Sequence, residues 1–444
     1  MRSLTALALA LLLGIIDGAN ADDTLSGDWG GLRTELAKAG FELGIVYIGE
    51  TFADLAGGIH RGTVYEGRLA MALDVDLKKL AGWQGGTFHA SMYQIHGHGP
   101  SANLVGNFFD VSSIEALPST RLFTLWLQQN LFDDRLSIRL GQLAMDDEFL
   151  ISTAAANLVN ADFGDPAINY ENMTAGGPIY PVADPGLRVQ VKPRGDLALL
   201  AAVFGANPGG GNCAMGVQLC DPSGTTFSFS GGTLWAGELQ YSINQGNGAG
   251  GLPGTYRIGS WRETGGFADQ HFGLDASGAE VSLASPNVAS KLFHGGDYAL
   301  YGVLDQMLWR RKGTQDQGLS GFLRLGGAPA DRNLVSFYAD GGLSWKGFPG
   351  RPDDIAILGL AYAAISPAAS GLDRDGAALA PGHPIRDAET VVELSWLAQV
   401  RPWLVVQPDL QYIVHPGGNV PNPNRPPTAI PDALIVGLRT TITF

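Results

Sequence analysis

The chain alternates. In 65–77, Glu66, Arg68, Ala70, Ala72, Asp74 and Asp76 fall on one side of an extended strand. Tyr65, Leu69, Met71, Leu73, Val75 and Leu77 fall on the other. Side chains on a strand point to opposite faces with period two, so one face is polar and one apolar. The pattern recurs at 234–245, 387–399, 402–414 and 432–444, where Leu434, Val436, Leu438, Thr440, Ile442 and Phe444 oppose Ala433, Ile435, Gly437, Arg439, Thr441 and Thr443. With 41–52, 86–96, 122–132, 134–143, 186–193, 195–205, 254–263, 297–311, 318–328, 334–346 and 354–365, it predicts sixteen strands. Each is about the length that crosses a bilayer when tilted. Segment 195–205 is nearly all apolar, and 297–311 puts Asp305 and Gln306 on opposite faces, so neither has a clear phase.

The connections alternate as well. Those after odd strands, such as 97–121, 144–185 and 206–233, are mostly long, and those after even strands are uniformly short. Antiparallel strands place alternate connections at opposite ends, and outer-membrane barrels have short periplasmic turns and long external loops. An even strand count puts both termini at the short-turn end. The fold class predicted is all-β, a 16-stranded antiparallel transmembrane β-barrel. A short helix over 26–40, with Leu32, Leu36 and Ala39 on one face and Gly40 as its stop, precedes it on the periplasmic side. Aromatics near strand ends (Tyr298 and Trp309, Phe337 and Trp345, Trp403 and Tyr412) fit interfacial girdles.

Arg2, the apolar run Leu4–Ile16 and Ala19-Asn20-Ala21 predict a cleavable signal peptide over 1–21. The domain plan is then 1–21 signal peptide, 22–40 periplasmic segment and 41–444 barrel, in an exported chain of the Gram-negative outer membrane. Charged residues are 16% of the chain and glycine 62 of 444, which suits a turn-rich structure with a half-apolar exterior. The formal charge of −15 argues against nucleic acid. Cys213 and Cys220, the two cysteines, lie in one external loop and read as a disulfide. The His spacing suggests no metal site, and His96-Gly97-His98 is read as solvated loop.

Several segments are similar to the carbohydrate-selective porin family, the OprB type. They are Ser26-Gly27-Asp28-Trp29-Gly30-Gly31-Leu32-Arg33, Gly82-Trp83-Gln84-Gly85-Gly86, Leu140-Gly141-Gln142 with Phe149-Leu150, Tyr256-Arg257-Ile258-Gly259-Ser260-Trp261, Asp305-Gln306-Met307-Leu308, and Gln407-Pro408-Asp409-Leu410-Gln411-Tyr412 before His415-Pro416-Gly417-Gly418. The resemblance covers essentially the mature chain. It implies a sixteen-stranded barrel that passes sugars, monosaccharides such as glucose among them, by diffusion. Phe444 resembles the terminal signal read by the barrel-assembly machinery.

A sugar pore needs a narrow point, polar groups that replace water around hydroxyls, and binding weak enough to release. The longest connection, 144–185, is expected to fold inward; it carries Asp146, Asp147, Glu148, Phe163, Asp165, Tyr170 and Tyr180. Strand phase turns Arg68, His89, Arg139, Arg188, Arg257, Arg324 and Arg439 to the lumen, with Glu66, Glu238, Asp340, Glu393 and Asp409. A guanidinium presents five donors in a plane, suited to vicinal hydroxyls. The same residues could instead brace the wall as Arg–carboxylate ladders. Trp126 and Trp261 face inward as sugar platforms or as filling behind the long loop. No nucleophile elbow, H-E-x-x-H or phosphate loop occurs, and no cofactor is implied. The alternatives are a porin with little sugar selectivity and an outer-membrane barrel hydrolase. Homotrimer and monomer both stay open.

Overall fold

The structure, a computed structural model, describes residues 23–211, 213–246 and 250–444. The expected signal peptide lies outside the described residues. Seventeen strands form one antiparallel sheet. They are β1 (Phe41–Ala56), β2 (Gly62–Asp76), β3 (Gly86–Gly97), β4 (Ser119–Leu131), β5 (Leu136–Leu143), β6 (Asp184–Arg194), β7 (Leu197–Gly205), β8 (Thr233–Ile243), β9 (Gly254–Leu274), β10 (Glu280–Ser282), β11 (Ser290–Arg310), β12 (Gly318–Gly327), β13 (Val335–Phe348), β14 (Arg351–Ile365), β15 (Ala388–Arg401), β16 (Leu404–Val414) and β17 (Ala433–Thr443). The three-residue β10 only extends the hairpin of β9 and β11, which pair directly, so sixteen strands make the wall. β17 pairs with β1, Thr443 opposite Val46 and Arg439 opposite Glu50, and the barrel closes.

Alternation decides which face each residue meets. Leu300, Leu323, Leu358, Leu394 and Leu438 are exposed on the outside, while Arg68, Glu238, Arg324, Glu393 and Arg439 are buried on the inside. The two ambiguous strands resolve. In β7, Leu200, Ala202 and Phe204 are buried inward and Leu199 is exposed. In β11, Asp305 turns inward, where Ser152 donates to it at 2.6 Å, while Gln306 accepts from Tyr256 at 2.5 Å outside. The aromatics Tyr298, Trp309, Phe337, Trp345 and Tyr412 are exposed near strand ends, and Trp309 stacks on Trp345 with centroids 5.4 Å apart.

Four expectations need correction. The N-terminal helix is shorter, Leu32–Ala39, and its predicted apolar face is not its buried one: Leu32 is exposed and Arg33 is buried. Arg33 donates to the terminal Phe444 carbonyl at 2.8 Å and stacks over Trp29 at 4.4 Å, so the helix is tied to the closing strand by a cation. Residues 264–296, read as loop, are largely a ribbon in which β9 and β11 continue past the wall. Gly265 and Gly296, both at positive φ, break the alternation that would have revealed it. The loop 366–387 holds a helix, Pro367–Leu379, whose N-cap Ser366 accepts from Ala369 N at 3.2 Å. His96 belongs to β3, not a loop; its ring stacks on Tyr47 at 5.9 Å on the outer face.

Candidate functional site

The lumen is filled from one side by the connection 144–183, which joins β5 to β6. Its Met145, Phe149, Leu150, Leu158, Val159, Phe163 and Ile168 share one apolar cluster with wall residues Phe204, Trp261, Tyr301, Phe322, Tyr338 and Ile357. The second external connection, 98–118, also turns inward, with Phe109, Val111 and Ile114 buried. Its apolar Phe108-Phe109-Asp110-Val111 was the available signal.

A buried loop must find partners for its backbone groups, because an unpaired amide in a low-dielectric setting costs about 1–3 kcal/mol. Wall carboxylates serve as acceptors. Glu238 accepts from Leu150 N at 2.9 Å, and Glu393 from Val159 N at 2.6 Å and Asn160 N at 2.9 Å. Glu263 takes Thr174 N at 3.0 Å, and Glu389 takes Phe109 N of the second connection at 2.8 Å. Wall guanidiniums serve as donors. Arg324 reaches the carbonyls of Leu150 at 3.2 Å, Asp162 at 2.9 Å and Gly164 at 3.1 Å while paired to Asp340. Arg257 donates to the Ile151 carbonyl. Arg439, ion-paired to Glu50, donates to Ser113 at 2.9 Å. Trp261 is 1% exposed, and its Nε1 donates to Asn169 at 2.9 Å. Its rings lie behind the loop, so it is not a sugar platform in this structure; it fills and pins.

The wall from β2 to β6 is different. His89 on β3, Trp126 on β4 and Arg139 on β5 form a stack in the periplasmic half, a few residue pairs in from the short β4–β5 turn. His89 lies parallel to Trp126 at 4.6 Å, and the Arg139 guanidinium sits 3.9 Å from the indole centroid. The two partners come from the strands on either side of β4, so the indole is sandwiched. Trp126 therefore offers its edge to the lumen, not a free face. Asp74 Oδ1 lies 2.7 Å from His89 Nδ1. Arg139 Nε donates to Gln128 at 3.0 Å. All three Arg188 nitrogens are engaged: Nε donates to Glu148 at 2.8 Å, Nη1 to Ser137 Oγ at 2.9 Å, and Nη2 to Gln128 at 2.9 Å. Glu148, a loop residue that reaches this wall, also lies 3.4 Å from Arg139.

Exposure singles out part of this wall, since His89 and Arg188 beside it keep only 6% and 3%. Arg139, Glu148 and Asp74 side chains keep 13%, 19% and 28% of their accessible surface, while Arg324 and Asp340 keep none. Trp126 Nε1 and His89 Nε2 have no hydrogen-bond partner among the described residues. The stack thus leaves two edge nitrogens, Trp126 Nε1 and His89 Nε2, without a described protein partner, with carboxylate and amide oxygens beside it.

Arg68 belongs to neither group. It is buried between the rings of Tyr93 at 4.7 Å and Tyr180 at 5.0 Å. Glu66, on the same face, is buried with Oε1 unpartnered. Cys213 and Cys220 are bonded, with Cα atoms 5.8 Å apart. Sequence reasoning named Asp74 only as a lumen-phase residue and omitted Gln128, although Gln128 follows Trp126 by two positions, the strand period.

The family model for carbohydrate-selective porins, OprB family, matches residues 60–444. Porin B of Pseudomonas aeruginosa is 28% identical over 461 residues, covering 97% of this chain and 95% of that protein. A putative porin of Acinetobacter baylyi, QuiX, is 23% identical, over 95% of this chain and 93% of its own. The high-pH structure of Pseudomonas putida OprB superposes with a TM-score of 0.83 at 26% identity, covering 96% of this chain and all of that one.

Proposed function

This chain belongs to the OprB family of carbohydrate-selective porins, and from that premise we propose that sugars of monosaccharide size pass along the β2–β6 wall. The observation that carries the reading is the His89–Trp126–Arg139 stack, the partly open polar array beside a lumen otherwise occupied by the bolted loop. A sugar hydroxyl both donates and accepts. Trp126 Nε1 and Arg139 are donors, and Asp74, Gln128 and Glu148 supply acceptors. When neutral His89 donates its Nδ1 proton to Asp74, its Nε2 is a further acceptor. Exposed hydrogen bonds of this kind are each worth about 1 kcal/mol net, weak enough for release between steps.

Among the other candidates, Arg188 positions Gln128 and Glu148. Arg257, Arg324, Glu238 and Trp261 hold the loop, and Arg68, Glu66 and Arg439 serve the upper lumen between the two inward connections. The protein is a channel of the Gram-negative outer membrane rather than an enzyme. A signal peptide over 1–21 exports it, and Phe444 with β17 engages the assembly machinery. Swelling of liposomes that contain only this protein tests the reading. Swelling faster in glucose than in a non-sugar solute of the same size supports it. Equal rates for all solutes below a size limit would favour a general diffusion pore.

A further inference from the structure

The outer face carries one arginine whose setting differs from the rest. Arg262 on β9 points outward, opposite Trp235 of β8 and Tyr298 of β11 in the same register. Both rings are about half exposed, and Trp235 Nε1 is turned aside to Thr233 Oγ1 at 2.9 Å. Toward the periplasm the same surface is apolar: Ile258 is 66% and Leu300 62% exposed. Toward the outside, Thr264 and the glycines of the ribbon follow. Arg262 therefore stands where the apolar belt ends, at the outer-leaflet headgroup level, between aromatics of the kind that mark that level.

It has no ion pair or hydrogen bond with another described residue. The neighbouring Glu263 faces the lumen and is committed to Thr174 N. Other arginines at strand ends do have protein partners: Arg310 donates to the Gly251 carbonyl at 3.1 Å, and Arg351 pairs with Asp354. A guanidinium at the edge of hydrocarbon needs a counter-charge, and its planar fork matches phosphate with two parallel hydrogen bonds. We propose that Arg262, between Trp235 and Tyr298, binds the phosphate of an outer-leaflet lipid headgroup. The rings flank the sugar or glycerol that carries the phosphate, and the acyl chains lie along Ile258 and Leu300.

The test uses the full-length folded protein in detergent, with bis-phosphorylated lipid A as probe and native mass spectrometry to count retained lipid. Wild type should retain phosphorylated lipid A at least about tenfold more tightly than Arg262→Gln, the factor expected for one charge-assisted bond of about 1.5–3 kcal/mol. Arg262→Lys should fall between them. Dephosphorylated lipid A should bind both proteins weakly, and millimolar inorganic phosphate should not displace the lipid. Heat-modified gel mobility and sugar-dependent liposome swelling, unchanged in Arg262→Gln, establish that the barrel is folded and open. Equal retention by wild type and Arg262→Gln, or no dependence on the lipid phosphates, would overturn the proposal. Displacement by inorganic phosphate would show a free-anion site instead and overturn the lipid assignment.

Discussion

Two halves of one lumen wall use the same residue types for opposite ends. On the β8–β16 side, Glu238, Glu393 and Arg324 are buried and spend their hydrogen bonds on the backbone of the inward loop. On the β2–β6 side, Arg139, Asp74 and Glu148 keep part of their surface, and the sandwiched Trp126 leaves its Nε1 unused. A lumen arginine is thus not a sugar ligand by type or by phase. What distinguishes the walls is whether a protein backbone has already taken the hydrogen bonds.

The largest effect should follow from cutting the bolted side. Arg324→Met leaves Asp340 buried without its cation and frees three loop carbonyls. Breaking a buried pair on one side costs about 3–5 kcal/mol. The heat-induced mobility shift should move to clearly lower temperature and single-channel current should become noisy, while the same measurements on Arg139→Met should show far less. Equal effects would erase the distinction.

A pH series gives a second, more gradual contrast. Burial pushes the inward-loop carboxyls of Asp110, Asp162 and Glu171 each up to about 7. The docked loops therefore hold protons that undocked loops, with carboxyls near 4, would have lost. Docking is then strongest in acid and weakens as pH rises from about 4 through about 7, because the docked state binds more protons over that window. Current noise should grow across it, and Asp162→Asn should flatten the rise. Noise that instead falls with rising pH would contradict the direction.

The smallest effect is expected at Glu148, where the loop touches the open wall. Glu148→Gln weakens the hold on Arg139 and Arg188 without emptying space. Half-blocking sugar concentration should rise about threefold, less than one hydrogen bond's worth, with thermal stability nearly unchanged. A large stability loss would move Glu148 to the braced set.

The sixteen wall strands were legible because lipid outside and water or protein inside impose a strict period of two. Loop parity was legible because the strands are antiparallel. What failed were features outside that constraint: the β9–β11 ribbon, which continues beyond the bilayer through glycines, and the helix Pro367–Leu379, whose Ser366-Pro367 start was visible but lay in a loop. The lumen face of each candidate was also legible, since phase alone sets it. Its role was not. Trp126 and Trp261 have the same phase, yet one is half-buried between His89 and Arg139 and the other sealed against Asn169. That difference depends on where residues 144–183 travel inside the barrel, and a long connection has no period to read.

Single-channel block by glucose in Trp126→Ala and Trp261→Phe tests the central claim most directly. Removing the indole from between His89 and Arg139 should raise the half-blocking concentration about tenfold, roughly 1.4 kcal/mol. Trp261→Phe should leave block intact while increasing current noise. Unchanged block in Trp126→Ala together with lost block in Trp261→Phe would place the sugar path behind the loop and contradict the account.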